Sequence, residues 1–233
     1  MTADVVLLPG LHGSTALFET FAAHAPAWGR CRPIALPLEG DQSFEGLAHA
    51  LAPSICAGEG PVVLVAESFS TPIAARLSQL AADRVVLLVL CNPLFAVPFR
   101  VPARAAAWFA RSALCPARLV AFAMAAGDAT LGAAVAREMR ALPRVVLERR
   151  LDTVFRATER DIVDHAAARL LVITGARDRL IAPRTARRIG PSLPNGALVE
   201  LDAAHLVIQA EPGRAWDAIT RVWNAIAATA GAE

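Results

Sequence analysis

The segment Val62–Ser70 reads VVLVAESFS and predicts a buried strand that ends on a serine. Its first five residues are apolar and mostly β-branched, which is the pattern of a strand covered on both faces. Ser68 follows, and the residues two positions to either side, Ala66 and Ser70, are small. This arrangement is typical of a nucleophile on a sharp turn between a strand and a helix, although glycine usually fills the two small positions. A buried serine that caps the following helix is the second interpretation.

The rest of the chain alternates between short segments with a strand pattern and longer segments with helical spacing. The other five strand-like segments are Val5–Leu8, Arg32–Leu36, Val85–Cys91, Leu170–Thr174 and Ala197–Leu201. The helix-like segments around them are Thr15–His24, Phe44–Ile55, Thr71–Ala82 and Pro212–Ala228. Strands that alternate with helices predict parallel β-α-β units. We therefore expect an α/β fold with a doubly wound, mostly parallel sheet of about six strands and helices on both faces.

The alternation stops between the fourth and the fifth predicted strands. Residues 94–160 contain Ala- and Arg-rich segments of helical character, divided by prolines, and none of them has a strand pattern. An insertion of this length after a strand predicts a helical lid over the carboxyl edge of the sheet. We therefore expect a core formed by residues 1–93 and 161–233, with the lid at 94–160.

Two residues downstream complete a possible proton relay with Ser68. Asp178 lies in a loop after the fifth predicted strand, and His205 lies four residues past the sixth. A carboxylate in that loop can orient an imidazole, which can take the serine proton and deliver it to a leaving group. The order Ser, Asp, His differs from the orders of the chymotrypsin and subtilisin types. The competing acids are Asp161, Asp164 and Asp202, and the other histidines are His12, His24, His49 and His165.

The segment Leu8–Gly13, which reads LPGLHG, follows the first predicted strand and supplies candidate oxyanion donors. Backbone amides at this place would face the serine and stabilise the negative charge that develops on the substrate oxygen in the transition state. We take the amides of Leu11 and Phe69 as the donor pair, and His12 as a candidate pocket residue. A plain Gly-Pro turn is the alternative, and the two glycines of the segment allow two alignments of the loop.

Together these motifs resemble those of the α/β-hydrolase superfamily, over essentially the full length of the chain. Leu8–Gly13 resembles the oxyanion loop, with Pro9 in the place of the usual histidine, and Ala66–Ser70 resembles the nucleophile elbow. Gly175–Pro183 resembles the acid loop, and Ala204–Pro212 resembles the histidine loop. The first strand of this chain matches the third strand of the family. The resemblance therefore implies a trimmed, six-stranded sheet that lacks the opening hairpin.

The resemblance implies a serine hydrolase that cleaves a carboxylic ester or thioester through an acyl-serine intermediate. Ser68, Asp178 and His205 would be the catalytic residues, with no cofactor and no metal. Serine rather than aspartate at position 68 argues against the dehalogenases and epoxide hydrolases of the family. An acyltransferase on the same scaffold and a non-catalytic binding module are the alternatives, because one fold serves many functions.

The charge of the predicted lid suggests a class of substrate. Between Phe99 and Arg160 there are eleven arginines and five acidic residues, so this segment carries +6 while the whole chain carries +2. The apolar residues Trp108, Phe109 and Phe122 are candidates for an acyl pocket. We expect an apolar acyl chain on an acidic carrier, such as acyl carrier protein or coenzyme A. The lid is similar to that of esterases that demethylate pimeloyl-carrier esters in biotin synthesis. A solvated helix face is the alternative.

Composition argues against several other classes of protein. A net charge of +2 gives no argument for nucleic-acid binding. The four cysteines form no C-x-x-C pair, so neither a metal site nor a disulfide framework is predicted. No apolar run approaches the about 18 residues of a membrane span, and the first residues do not resemble a signal peptide. We therefore expect a cytoplasmic protein.

Overall fold

The computed structural model describes residues 1–95, 102–111, 117–190 and 196–230. Within them, six strands form one sheet in the order β2-β1-β3-β4-β5-β6, and every neighbouring pair is parallel. The strands are β1 (Ala3–Leu8), β2 (Gly29–Pro33), β3 (Val62–Glu67), β4 (Val85–Cys91), β5 (Arg169–Gly175) and β6 (Gly196–Leu201). The α/β class and the six-stranded parallel sheet predicted from the sequence are thereby confirmed.

Helices connect the strands and cover both faces of the sheet. Before β5 they are α1 (Glu19–Ala23), α2 (Phe44–Cys56), α3 (Thr71–Leu80), α4 (Ala103–Arg111), α5 (Ala117–Met124), α6 (Ala129–Ala141), α7 (Arg144–Arg156) and α8 (Arg160–Val163). After β5 they are α9 (Pro183–Ile189), α10 (Val207–Ala210) and α11 (Pro212–Ala230). No helix in these described ranges is both long and apolar enough to span a membrane.

The central strands are apolar throughout because each face of the sheet has its own core layer. In β3, Leu64 and Ala66 face the layer that contains α2 and α3, whereas Val63 and Val65 face the layer that contains α1 and α11. Every residue of β3 is buried. Successive side chains of a strand point to opposite faces, so a strand between two helical layers needs apolar residues at every position.

Two predicted elements differ from those in the structure. The second strand is Gly29–Pro33 instead of Arg32–Leu36, and it is paired with β1 from Ala3 onward. It is an edge strand, only partly buried, so its sequence lacks the apolar run that marks the central strands. The first predicted helix, Thr15–His24, is instead a 3₁₀ turn followed by the short helix α1.

The described residues between β4 and β5 form helices α4 to α8 and no strand. Helix α5 packs against α6, and α4 packs against α7. Helices α5 and α6 approach closely at Gly132, where a Cβ atom would lie 2.4 Å from the Cβ of Ala121. Residues 96–101 and 112–116 of the predicted lid lie outside the described residues, whereas its first two residues, 94 and 95, are described.

Candidate active site

Ser68 lies at the turn between β3 and α3, in an unusual backbone conformation. Its φ angle is +46°, in the left-handed region that residues other than glycine rarely adopt. Such a conformation costs about 1–3 kcal/mol and persists only where the surroundings enforce it. Here Ala66 and Ser70 are both fully buried, so small residues pack on each side of the turn. The Thr71 hydroxyl also donates to the Ser68 carbonyl oxygen, at 2.6 Å. The backbone therefore presents this serine on a strained elbow.

Asp178 and His205 form a buried pair at the same edge of the sheet. The Asp178 Oδ2 atom lies 2.8 Å from the Nδ1 atom of His205, and both side chains are almost completely buried. The other carboxylate oxygen, Oδ1, accepts the backbone amides of Leu180 and Ile181, at 2.8 and 2.9 Å. Because a carboxylate only accepts hydrogen bonds, Nδ1 carries the proton and Nε2 is left as a base. The pair thus has the tautomer that a general base requires.

Asn92 joins the loops that carry Asp178 and His205, and the sequence analysis missed it. Its Nδ2 group donates to the carbonyl oxygen of His205, and its Oδ1 atom accepts the amide of Gly175 at 2.8 Å. Its φ angle is +44°, which asparagine tolerates better than most residues. The sequence does contain one signal for this residue. Asn92 is polar and lies directly after the fourth apolar strand and before Pro93.

Ser68 and His205 line one cavity of about 630 Å³ between the sheet edge and the inserted helices. The other polar side chains on its wall are those of His12 and Glu67, while the rest of the described lining is glycine or apolar. In the described chain no hydrogen bond joins the Ser68 hydroxyl to the His205 ring. Bonds of this kind commonly tighten only when a substrate is bound. The structure thus places Ser68 and His205 on the wall of one largely apolar cavity, with Asp178 bound to the ring of His205.

The predicted acyl-pocket residues do not all face this cavity. Phe109 lines it together with Ala105 and Ala106 of α4. Trp108 and Phe122 are absent from the described lining and are more than half exposed, at 54% and 56%. Neighbouring residues in a helix differ by about 100° in direction, so Trp108 points away when Phe109 points inward. The ring of Phe122 is instead covered by Arg179, whose guanidinium carbon lies 3.9 Å from the ring centroid.

The predicted oxyanion loop is held by hydrogen bonds on its carbonyl oxygens. The buried Ser70 hydroxyl donates to the oxygen of Pro9, and the Gly13 amide donates to the oxygen of Gly10 at 2.9 Å. A trans peptide places its N–H opposite its C=O, so the bond to Gly10 also fixes the direction of the Leu11 amide. Leu11 and Phe69 both line the cavity. Ser70 thus has a structural role at a position where glycine is usual.

His12 also lines the cavity, and its charge state follows from its contacts. Its Nδ1 atom accepts the amide of Ser14 at 3.1 Å, so the proton of the neutral ring lies on Nε2. Burial lowers the pKa of His12 to about 4, with Glu138 acting in the opposite direction and Arg150 lowering it further. At neutral pH the ring is therefore uncharged and offers one N–H donor.

Glu67 is a titratable residue on the cavity wall that the sequence analysis did not single out. Burial raises its pKa to about 7, while a hydrogen bond from Gln209 and the charge of His205 lower it. The Gln209 amide nitrogen donates to Glu67 Oε1 at 2.8 Å, and the Gln209 oxygen is buried without a partner among the described residues. The hydrogen bond from Gln209 favours the charged carboxylate, but burial outweighs it, so the pKa stays above its usual value.

The described side chains include no group of three or more His, Cys, Asp or Glu residues arranged to hold a metal ion. The polar groups of the site are a serine hydroxyl, two imidazoles, two carboxyl groups and backbone amides. Such a set can activate a hydroxyl, stabilise an oxyanion and protonate a leaving group.

Comparisons with solved structures identify the fold. The chain is similar to an enol-lactonase from Burkholderia xenovorans, with a TM-score of 0.77, 17% identity, and coverage of 94% of this chain and 92% of that one. A thermophilic esterase from Thermogutta terrifontis gives a TM-score of 0.75, 16% identity, and coverage of 97% and 91%. An esterase from Exiguobacterium antarcticum gives 0.81, 13% identity, and coverage of 94% and 91%.

Sequence comparison adds no closer relative, since no protein-family model and no curated protein matches the chain. Identities of this size show the fold alone. The six-stranded parallel sheet agrees with those similarities. The chain therefore has the α/β-hydrolase fold, as its sequence motifs suggest.

Proposed function

We propose that the protein is a serine hydrolase that cleaves a carboxylic ester or thioester through an acyl-serine intermediate. One observation carries the proposal. Ser68, on its strained elbow, lines the same cavity as His205, and the Nδ1 atom of His205 binds the buried carboxylate of Asp178. The similar esterases and the enol-lactonase add support, because their fold is shared over nine-tenths of this chain.

In the proposed reaction, the Ser68 oxygen attacks the carbonyl carbon of the substrate while His205 Nε2 takes the hydroxyl proton. The carbonyl electron pair moves onto the oxygen, where the amides of Leu11 and Phe69 stabilise the negative charge. Collapse of this intermediate expels the alcohol or thiol, which takes the proton from His205. Water then attacks the acyl-serine with His205 as the base, releasing the acid and restoring Ser68.

The cavity indicates the kind of acyl group that fits. Its described wall is apolar away from the polar cluster around Ser68, with contributions from Met124, Met139 and Phe155. Pockets of about 300–1,000 Å³ accept small organic ligands, and apolar walls favour apolar ones. We therefore propose an apolar acyl chain of small to medium length, with the ester carbonyl at Ser68.

The first test is hydrolysis of p-nitrophenyl butyrate by the wild type and by Ser68→Ala. We expect the variant to lose at least about 10,000-fold in kcat, as when the nucleophile of a triad is removed. Ser54→Ala is the matched control, because Ser54 is exposed on α2, and it should keep the wild-type rate. Undiminished hydrolysis by Ser68→Ala would disprove the proposed mechanism.

We also propose that the acyl group is delivered on an acidic carrier, with a pimeloyl methyl ester on acyl carrier protein as the specific candidate. The support is the surplus of arginine in Phe99–Arg160 and the exposure of Trp108 and Phe122 in the same segment. Several of these arginines contact acids of the segment, such as Arg144 with Glu148 at 2.7 Å. Such pairs leave the net charge of the segment positive.

The carrier proposal is tested with the double variant Arg104→Glu/Arg156→Glu, since both side chains are exposed, at 86% and 77%. We expect kcat/KM for an acyl-carrier ester to fall at least about 10-fold and to lose its salt dependence, because surface charge steers association. Hydrolysis of p-nitrophenyl butyrate should not change. Arg214→Glu/Arg221→Glu, on α11, is the control with the same net charge. An equal loss in both double variants would contradict a carrier site on the lid.

A further inference from the structure

Arg150 of α7 is fully buried, although its helix belongs to the segment inserted over the site. Its Nε atom donates to the side-chain oxygen of Gln42 at 2.9 Å, and its Nη2 atom donates to the carbonyl oxygen of Pro37 at 2.9 Å. Its Nη1 atom donates to the carbonyl oxygen of Leu11 at 3.0 Å. All three acceptors are uncharged, so these described contacts leave the cation without a counter-ion.

A buried cation of this kind is costly to maintain. Removing a charge from water costs several kcal/mol, which hydrogen bonds to neutral groups offset only in part. The same burial lowers the pKa of Arg150 to about 10, so the side chain stays charged at neutral pH. An apolar side chain at position 150 could pack α7 against the core without this cost. The guanidinium therefore has a function beyond holding the helix in place.

The guanidinium contacts both residues of the candidate oxyanion pair. It binds the carbonyl oxygen of Leu11, and its central carbon lies 5.9 Å from the ring centroid of Phe69. The oxyanion loop is shaped to admit it at Gly13. There a Cβ atom would lie 2.3 Å from Arg150 Nη1, and φ is +75°, which side chains rarely tolerate. The loop and the lid arginine therefore fit as one unit.

We infer that Arg150 is a positioning residue for the oxyanion hole, carried to the site by a lid helix. This inference rests on the proposed serine hydrolase function. The Gly13 amide fixes the peptide between Gly10 and Leu11, and Arg150 fixes the next one through the Leu11 oxygen. The peptide groups before and after the Cα atom of Leu11 are therefore both held, so the Leu11 N–H keeps one direction. Oxyanion donors contribute most when they are fixed before charge develops.

Coupling of the lid to the chemistry follows from this arrangement. Arg150 belongs to α7, whereas Leu11 and Phe69 belong to the loops after β1 and β3. A lid helix that shifts would take the guanidinium with it and free the Leu11 carbonyl. The oxyanion hole is then complete only when the lid helix is in place.

The experiment compares Arg150→Met, which removes the charge, and Arg150→Lys, which keeps it but removes the fork of donors. Arg149→Met is the matched control, because the adjacent Arg149 is exposed. For each protein we would measure kcat and KM for p-nitrophenyl butyrate. We would also measure Ki for an alkyl trifluoromethyl ketone, which forms a tetrahedral adduct with an active serine, and the thermal midpoint.

For Arg150→Met we expect kcat to fall about 10- to 100-fold, with KM almost unchanged. This loss in kcat is smaller than the loss of about 100- to 1,000-fold that follows deletion of an oxyanion donor. Ki should rise by the same factor as kcat/KM falls, because the interaction acts on the transition state. Arg150→Lys should lie between Met and the wild type, and it carries the test if Arg150→Met does not fold. Arg149→Met should match the wild type.

Two results separate failure of the inference from failure of the proposed function. If the wild type hydrolyses the ester and both Arg150 variants lose thermal stability while their folded fractions keep kcat and Ki, then Arg150 is merely structural and the inference is wrong. If the wild type neither hydrolyses the ester nor binds the ketone, the proposed function itself fails.

Discussion

Each group at the candidate site depends on a neighbour that fixes its orientation or its proton. Asp178 is held by two backbone amides and in turn holds the Nδ1 proton of His205. Asn92 holds the carbonyl oxygen of the same histidine. The chemistry that we propose therefore depends on orientation as much as on residue identity.

Replacing Asp178 by Asn tests the role of the carboxylate in setting the histidine tautomer. The asparagine amide would donate to His205 Nδ1 and move the ring proton to Nε2, which is then no longer a base. We expect kcat to fall about 10,000-fold with a small change in KM. Asp202→Asn, an exposed acid of the neighbouring loop, is the control and should retain activity. Equal losses in the two variants would refute the assignment.

Glu67 links the site to pH through its raised pKa. The ordinary pKa of a glutamate carboxyl is 4.5. Below that pH, Glu67 is protonated in the folded and unfolded chains alike, so it has no effect on stability. Between pH 4.5 and about 7 the unfolded chain releases the proton while the folded chain keeps it, so the folded state loses stability as pH rises. Above that range the loss is constant, on the order of 3 kcal/mol at about 1.4 kcal/mol per pKa unit.

Glu67→Gln should remove this penalty, because an amide side chain does not ionise. We therefore expect the variant to gain stability over the wild type at pH 8, by up to about 3 kcal/mol, and to gain much less at pH 5. Urea unfolding at the two pH values measures the difference. Glu59→Gln, at an exposed position, should show no such trend. A gain of the same size at both pH values would exclude a raised pKa.

At the scale of elements, the acid loop and the histidine loop touch at Gly175, where β5 ends. A Cβ atom there would lie 2.2 Å from the carbonyl oxygen of Ala204 and 2.6 Å from that of Ala203. Gly175→Ala must therefore separate the two loops and displace His205. We expect a loss of about 2–4 kcal/mol in the free energy of unfolding, as for severe overpacking, and a large loss of kcat.

The control for this substitution is Gly213→Ala, because a Cβ atom at Gly213, in the first turn of α11, would meet nothing within 4 Å. Urea unfolding and ester hydrolysis should show a change of less than about 1 kcal/mol and a wild-type rate, since alanine suits a helix better than glycine does. Similar behaviour of the two alanine variants would show that the loops do not need this close contact.

Local signals account for the strands that the sequence predicted well and for the choice of candidate catalytic residues. The central strands β3 and β4 were predicted almost to the residue because burial on both faces requires an unbroken apolar run. Ser68, Asp178 and His205 were chosen because each follows a strand. The edge strand β2 was misplaced, since half-exposed positions accept arginine and leave no such run.

The residues that the sequence could not identify act through partners far away in the chain. Arg150 binds the loop at Leu11, which is 139 positions earlier, and in the sequence it is one arginine among many. Gln209 binds Glu67 across 142 positions. Such contacts are created by the folded sheet and leave no local pattern.

At the scale of the whole molecule, the fold places three distant segments at one edge. Parallel strands end at the same side of a sheet, so the loops after β3, β5 and β6 must meet there. The helices between β4 and β5 supply much of the apolar cavity wall, including Phe109, Val135 and Leu151. The strand ends and the loops after them therefore supply the polar groups, and the inserted helices complete the enclosure.

The most direct test of this arrangement is covalent labelling with a fluorophosphonate, followed by mass spectrometry of the digested protein. An activated serine attacks the phosphorus and displaces fluoride, whereas an ordinary serine does not react. We expect one adduct per chain, located on Ser68, with labelling abolished in Asp178→Asn and in His205→Ala. A wild-type protein that stays unlabelled, or that carries its adduct on another residue, would contradict the proposal that Ser68 is the nucleophile.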